Sequence, residues 1–70
     1  MLNAEIDLRF TYHPPHGTQT ERYEQIRQAC RELAVKISLL TPESREQSLS
    51  ITALEECCMW ANASIARRES

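Results

Sequence analysis

The spacing of apolar residues between positions 23 and 40 constrains this chain more than any other feature. Tyr23, Ile26, Cys30, Leu33, Ile37 and Leu40 recur at steps of 3, 4, 3, 4 and 3. That is the seam of a helix packed lengthwise on other helices. Just upstream, Thr18-Gln19-Thr20-Glu21 reads as a capping box, with Thr18 as N-cap and Glu21 three positions later. Downstream, Leu39-Leu40 runs into Thr41-Pro42, and a residue before proline is driven out of helical backbone. The sequence predicts a helix over 18–40.

Thr41-Pro42 also opens the next element. Thr41 can cap it, and Pro42 suits the first helical position, where an N–H would go unpaired anyway. Glu43 and Glu46 then sit near the positive end of the new helix dipole. A second helix is predicted over 42–67, through Leu49, Ile51, Leu54, Cys58, Ala61 and Ile65, fraying in Arg67-Arg68-Glu69-Ser70. So short a turn makes the two helices antiparallel neighbours. Ahead of them, Asn3 reads as the cap of a short helix over Ala4 to Arg9, anchored by Ile6 and Leu8. The expected fold is all-α: an N-terminal helix and arm over 1–17, then a two-helix hairpin, in a single domain of 70 residues.

The second helix carries more apolar surface than one neighbour can cover. Leu49, Ala53, Cys57, Met59 and Trp60 flank its seam and spread well beyond the ~100° stripe of an ordinary surface helix. A hairpin has no third layer to bury them. The expectation is a chain that completes its core by homo-oligomerisation, with Met59 and Trp60 at the interface.

Composition removes several functions. A net charge of −2 argues against gripping a nucleic-acid duplex, which needs a field of Lys and Arg. It leaves room for a small anionic ligand held by a few arginines. The three cysteines, Cys30 and the adjacent Cys57 and Cys58, make no disulfide framework. Met1-Leu2-Asn3-Ala4-Glu5 lacks the apolar run of a signal peptide, and no apolar stretch is long enough for a membrane span. A reducing cytoplasm is the expected home. His13 and His16, even beside Cys57 and Cys58, lack metal-site spacing, so a loop histidine and packed thiols are the favoured reading. No cofactor is expected. Neither is catalysis, since a two-helix chain offers no preformed pocket with an oriented base.

The unusual stretch is Arg9-Phe10-Thr11-Tyr12-His13-Pro14-Pro15-His16-Gly17. Tyr12 has two readings: a ring packed on the hairpin beside Phe10, or a flat surface for a base, stiffened by the prolines behind it. The arginines divide similarly. Arg22, Arg27 and Arg31 along the first helix, with Arg67 and Arg68 at the end of the second, form either a solvated face with local pairs such as Arg27 with Glu24 or a set of phosphate ligands.

Phe10-Thr11-Tyr12-His13-Pro14, Glu21-Arg22-Tyr23-Glu24 and Ile26-Arg27 resemble the opening of a bacteriophage family. The stretches Thr41 to Ser48, Leu54-Glu55-Glu56, Met59 to Ala63 and Ile65-Ala66-Arg67 resemble its second helix. That family comprises the sponges that blunt the CBASS defence, whose helical-hairpin domain is shared with an anti-Thoeris sponge. The resemblance implies a non-catalytic hexamer in the host bacterial cytoplasm. Such a hexamer sequesters cyclic dinucleotides such as cGAMP between paired subunits, and cyclic trinucleotides where three subunits meet. It implies that Tyr12 stacks on bases and Arg27 contacts phosphates, arginine adding a bidentate fork where relatives can have lysine. His13, next to the ring, is a further candidate, and Arg67 or Arg68 would serve the trinucleotide pocket. Two other readings stay open. One is a helical assembly or adaptor binding a protein partner through Met59 and Trp60; the other is a sponge for a cyclic ADP-ribose-type Thoeris signal.

Overall fold

A computed structural model describes residues 3–69. Three helices and, among the described residues, no strand make up the chain: α1 (Asn3–Phe10), α2 (Gln19–Leu40) and α3 (Arg45–Arg68). The molecule is all-helical, and α2 and α3 form an antiparallel hairpin. It measures 45 × 29 × 12 Å, and 12 Å is the thickness of one helix with its side chains. A radius of gyration of 15.2 Å exceeds the ~11 Å of a compact chain this long. A single layer has no interior: among the described residues only Gln19 is buried, and no apolar residue is.

The hairpin register follows from its two ends. Gln19 donates to the Glu69 carbonyl at the base and Gln47 to the Thr41 carbonyl at the turn. Between these ends the inward residues are Tyr23, Ile26, Cys30, Ala34 and Ile37 on α2 and Ile51, Leu54, Cys58, Asn62 and Ile65 on α3, with Cys30 hydrogen-bonded to Cys58 across the seam. All ten of these residues are half-buried. The expected seam is thus corrected on α2, where Leu33 and Leu40 are exposed and Ala34 takes the inward place. The reason is geometric. At about 100° per residue, steps of 3, 4, 3, 4, 3 would carry Leu40 about 100° round from Tyr23, whereas the observed 3, 4, 4, 3 keeps one face. On α3 the seam from Ile51 to Ile65 is half-buried as expected, with Asn62 inward beside Ala61.

Several helix ends differ from expectation. Thr18 stands at the N-cap of α2 without capping it: its hydroxyl accepts from Arg22 Nε at 3.1 Å. The entry is shaped instead by Gly17, at φ 56° in the left-handed region, and by Gln19, whose amide oxygen accepts the His16 N–H. Thr41 closes α2, its hydroxyl and N–H both donating to the Ile37 carbonyl, so it is not free to start α3. That task falls to Ser44, whose hydroxyl accepts from Gln47 N at 3.1 Å; α3 therefore begins at Arg45 rather than at Pro42. Asn3 lies inside α1 rather than capping it. The C-terminal fraying is also corrected, because α3 is helical through Arg68 and the Glu69 N–H bonds to the Ile65 carbonyl. Ser70 lies outside the described residues.

Candidate functional site

The base of the hairpin gathers the charged and aromatic residues. Gly17 turns the chain back so that the 11–18 arm and the start of α2 meet the end of α3. Glu69 is the focus there. Its carboxylate takes both Nη atoms of Arg22, at 2.9 and 2.5 Å, and its carbonyl accepts from His16 Nε2 at 2.8 Å. The guanidinium holds the Glu69 carboxyl below the usual carboxylate range, and Glu69 in turn raises Arg22. The N-terminal helix is tied to the same end. Arg68 forks onto Glu5 at 3.1 and 2.7 Å, while Arg9 Nε donates to Glu5 from one turn away at 3.0 Å. Those bonds from Arg68 and then Arg9 lower the Glu5 carboxyl to about 2.

A cavity of about 680 Å³ opens between α1 and α3, lined by Arg9, Phe10, Trp60, Ser64, Arg67 and Arg68. It joins two rings to three guanidinium groups, with Glu5 as a counter-charge. Of the residues singled out in the sequence, it unites Trp60, Arg67 and Arg68. A second cavity, of about 430 Å³, runs between α2 and α3 and is lined by Arg27, Arg31, Cys30, Cys58, Met59 and Asn62. Met59 and Trp60 thus belong to different grooves, and both are more than half exposed. Arg27 pairs with Glu24 at 2.7 Å, the local pairing its spacing allows.

Two features of the second cavity were not expected from sequence. Asn62 stands in the apolar seam with its Oδ1 buried and lacking any hydrogen-bond partner, while its amide nitrogen reaches Cys58 Sγ at 3.8 Å. Cys30 is raised above an ordinary thiol, first by burial and then by its hydrogen bond with Cys58. A spacing that set Ala61 inward hid the first; the helix register reveals both.

The aromatic arm is built differently from its packed reading. Tyr12 is 80% exposed and Phe10 85%, so neither ring lies on the hairpin. His13 and His16 anchor the arm, His13 Nε2 donating to the Leu8 carbonyl at 2.7 Å and His16 to Glu69. Tyr12 lines neither groove, and within one chain it is not brought into a cavity with Arg27. Glu5 and Arg9, absent from the residues chosen by sequence, are central here. Their mutual spacing of four was readable; the Glu5–Arg68 pair was not. Among the described residues, no group of three or more His, Cys, Asp or Glu could hold a metal ion, and no described helix is long and apolar enough to cross a membrane.

The family model for "Acb2/Tad1, hairpin domain" matches residues 3–66. The chain belongs to that family. No curated protein and no solved structure matches it. The Acb2/Tad1 hairpin is a sponge-type anti-defence domain of phages, not an enzyme family; it is associated with cyclic nucleotide signals and acts in the host cytoplasm. The match spans α1, the arm, α2 and α3 as far as Ala66, so the aromatic arm, Glu5, Arg9 and Arg22 lie within it, and Arg67, Arg68 and Glu69 lie just beyond its end.

Proposed function

We propose that this Acb2/Tad1 hairpin protein binds cyclic di- and trinucleotide messengers, keeps them intact, and so denies them to CBASS effectors. The family match over residues 3–66 carries the reading. The geometry supports it: an exposed Tyr12 on an arm anchored by two histidines, and a groove combining Trp60 with Arg67 and Arg68. Assembly supplies what one chain lacks. A slab 12 Å thick with Met59, Trp60, Leu39 and Leu40 exposed buries its faces by self-association into a hexamer. In that assembly Tyr12 reaches over a neighbour's α2, where Arg27 exchanges Glu24 for a dinucleotide phosphate, with His13 beside the ring. Arg67 and Arg68 serve the trinucleotide.

Tyr12→Ala tests this. Stacking is worth ~1–3 kcal/mol per base, so dinucleotide affinity should fall about 10- to 100-fold in calorimetry, while the oligomer mass in light scattering stays unchanged. Loss of the oligomer together with binding would make the ring structural and refute its assignment. The same reading expects replacement of both Arg67 and Arg68 to weaken trinucleotides and spare dinucleotides.

A further inference from the structure

Glu5 is held in the way a protein holds a phosphate. Its two carboxylate oxygens take both Nη atoms of Arg68 and the Nε of Arg9, a fork plus a second guanidinium. Those same two arginines line the 680 Å³ groove, together with Arg67 and the Phe10 and Trp60 rings. Glu5 therefore supplies one negative charge to a groove that presents three positive ones. We infer that Glu5 is a built-in counter-ion seated where a ligand phosphate goes, and that a nucleotide phosphodiester displaces it from Arg68 and Arg9. The inference rests on the reading of Arg67 and Arg68 as trinucleotide ligands.

The exchange is nearly even in charge, since a phosphodiester also brings one negative charge and two terminal oxygens. What tips it is the remainder of the ligand. A base can stack on Trp60 or Phe10, and further phosphates meet Arg67. Inorganic phosphate brings extra charge but no ring to stack, and it must displace a carboxylate that is already tethered in place on the same chain. The carboxylate thus acts as a filter: it keeps the abundant small anions of a cytoplasm out of an arginine-rich groove and yields only to a ligand with both phosphate and base. Its side chain is 28% exposed, so it can leave towards solvent. Because Glu5 is what ties α1 to Arg68, displacement also frees α1 to move.

The test compares the unaltered protein with Glu5→Gln, using a cyclic trinucleotide and inorganic phosphate as separate probes in calorimetry. Glu5→Gln should bind the trinucleotide about two- to fivefold more tightly, the scale of one exposed ion pair, and should gain measurable phosphate binding that the unaltered protein lacks. Unchanged or weaker trinucleotide binding with no gain for phosphate would overturn the inference alone, leaving the sponge reading intact. No trinucleotide binding by either protein would remove both. A second readout needs no variant. Arg68 and Arg9 lower the Glu5 carboxyl to about 2; carbon NMR of the unaltered protein should find it titrating well below the ordinary carboxylate range, and saturation with trinucleotide should return it to that range. A titration that stays low in the complex would show that Arg68 never releases Glu5.

Discussion

At the turn, Gln47 reaches the Thr41 carbonyl and hydroxyl, six residues back in the chain, at 3.1 and 3.0 Å. At the base, Arg22 reaches Glu69 across 47 residues and Arg68 reaches Glu5 across 63. The turn end is closed by neutral side chains bonding to neighbouring backbone; the base adds to its bonds from Gln19 and His16 ion pairs between groups distant in sequence. Neutral local bonds are insensitive to salt and pH, whereas exposed ion pairs are screened and titrate. The turn end is made of one kind of bond. The end that carries the rings and arginines adds the other, whose partners a charged ligand can replace.

Acid should separate the two ends most clearly. Glu5 is lowered from 4.5 to about 2 and Glu69 is lowered in the same direction. A depressed carboxyl stabilises above its ordinary value and loses that contribution as pH falls through its folded value. The base clamp should therefore weaken from about pH 4.5 downwards and be lost near pH 2. Trp60 is the only tryptophan and lines the α1–α3 groove, so its fluorescence should change over that range while far-UV circular dichroism of α2 and α3 holds. Simultaneous loss of both signals would mean that the two ends are not independent.

Smaller effects sharpen the contrast in capping. Ser44→Ala removes a cap that accepts from Gln47 N, and should cost ~1 kcal/mol in thermal unfolding. Thr18→Ala removes a residue at the N-cap position that makes no cap, and should cost only a few tenths. Equal costs would show that position, not hydrogen bonding, decides.

These differences also explain how much could be read in advance. The hairpin itself was legible, because its helices follow from periodicity and from Pro42, both local. Ser44-Arg45-Glu46-Gln47 even spells a capping signature, but Thr41-Pro42 drew attention first; Thr41 is committed to Ile37, and α3 starts later. The capping box at Thr18 was legible and wrong, because Arg22 takes the hydroxyl. Tyr12 and the terminal arginines stood out by residue type. Glu5 did not, since nothing in sequence marks a carboxylate whose partner lies 63 residues away. Asn62 stayed hidden for a related reason: only the packing of the whole hairpin buries its amide oxygen, with the amide nitrogen on Cys58.

The central claim, capture without cleavage, is tested most directly by native mass spectrometry of the protein with a panel of cyclic di- and trinucleotides, followed by heat release of whatever is bound. The account predicts a hexamer whose mass rises by whole intact ligands, dinucleotides and trinucleotides adding independently, and full recovery of unbroken ligand after heating. An assembly that takes up no cyclic nucleotide, or one that releases linear or cleaved products, would contradict it.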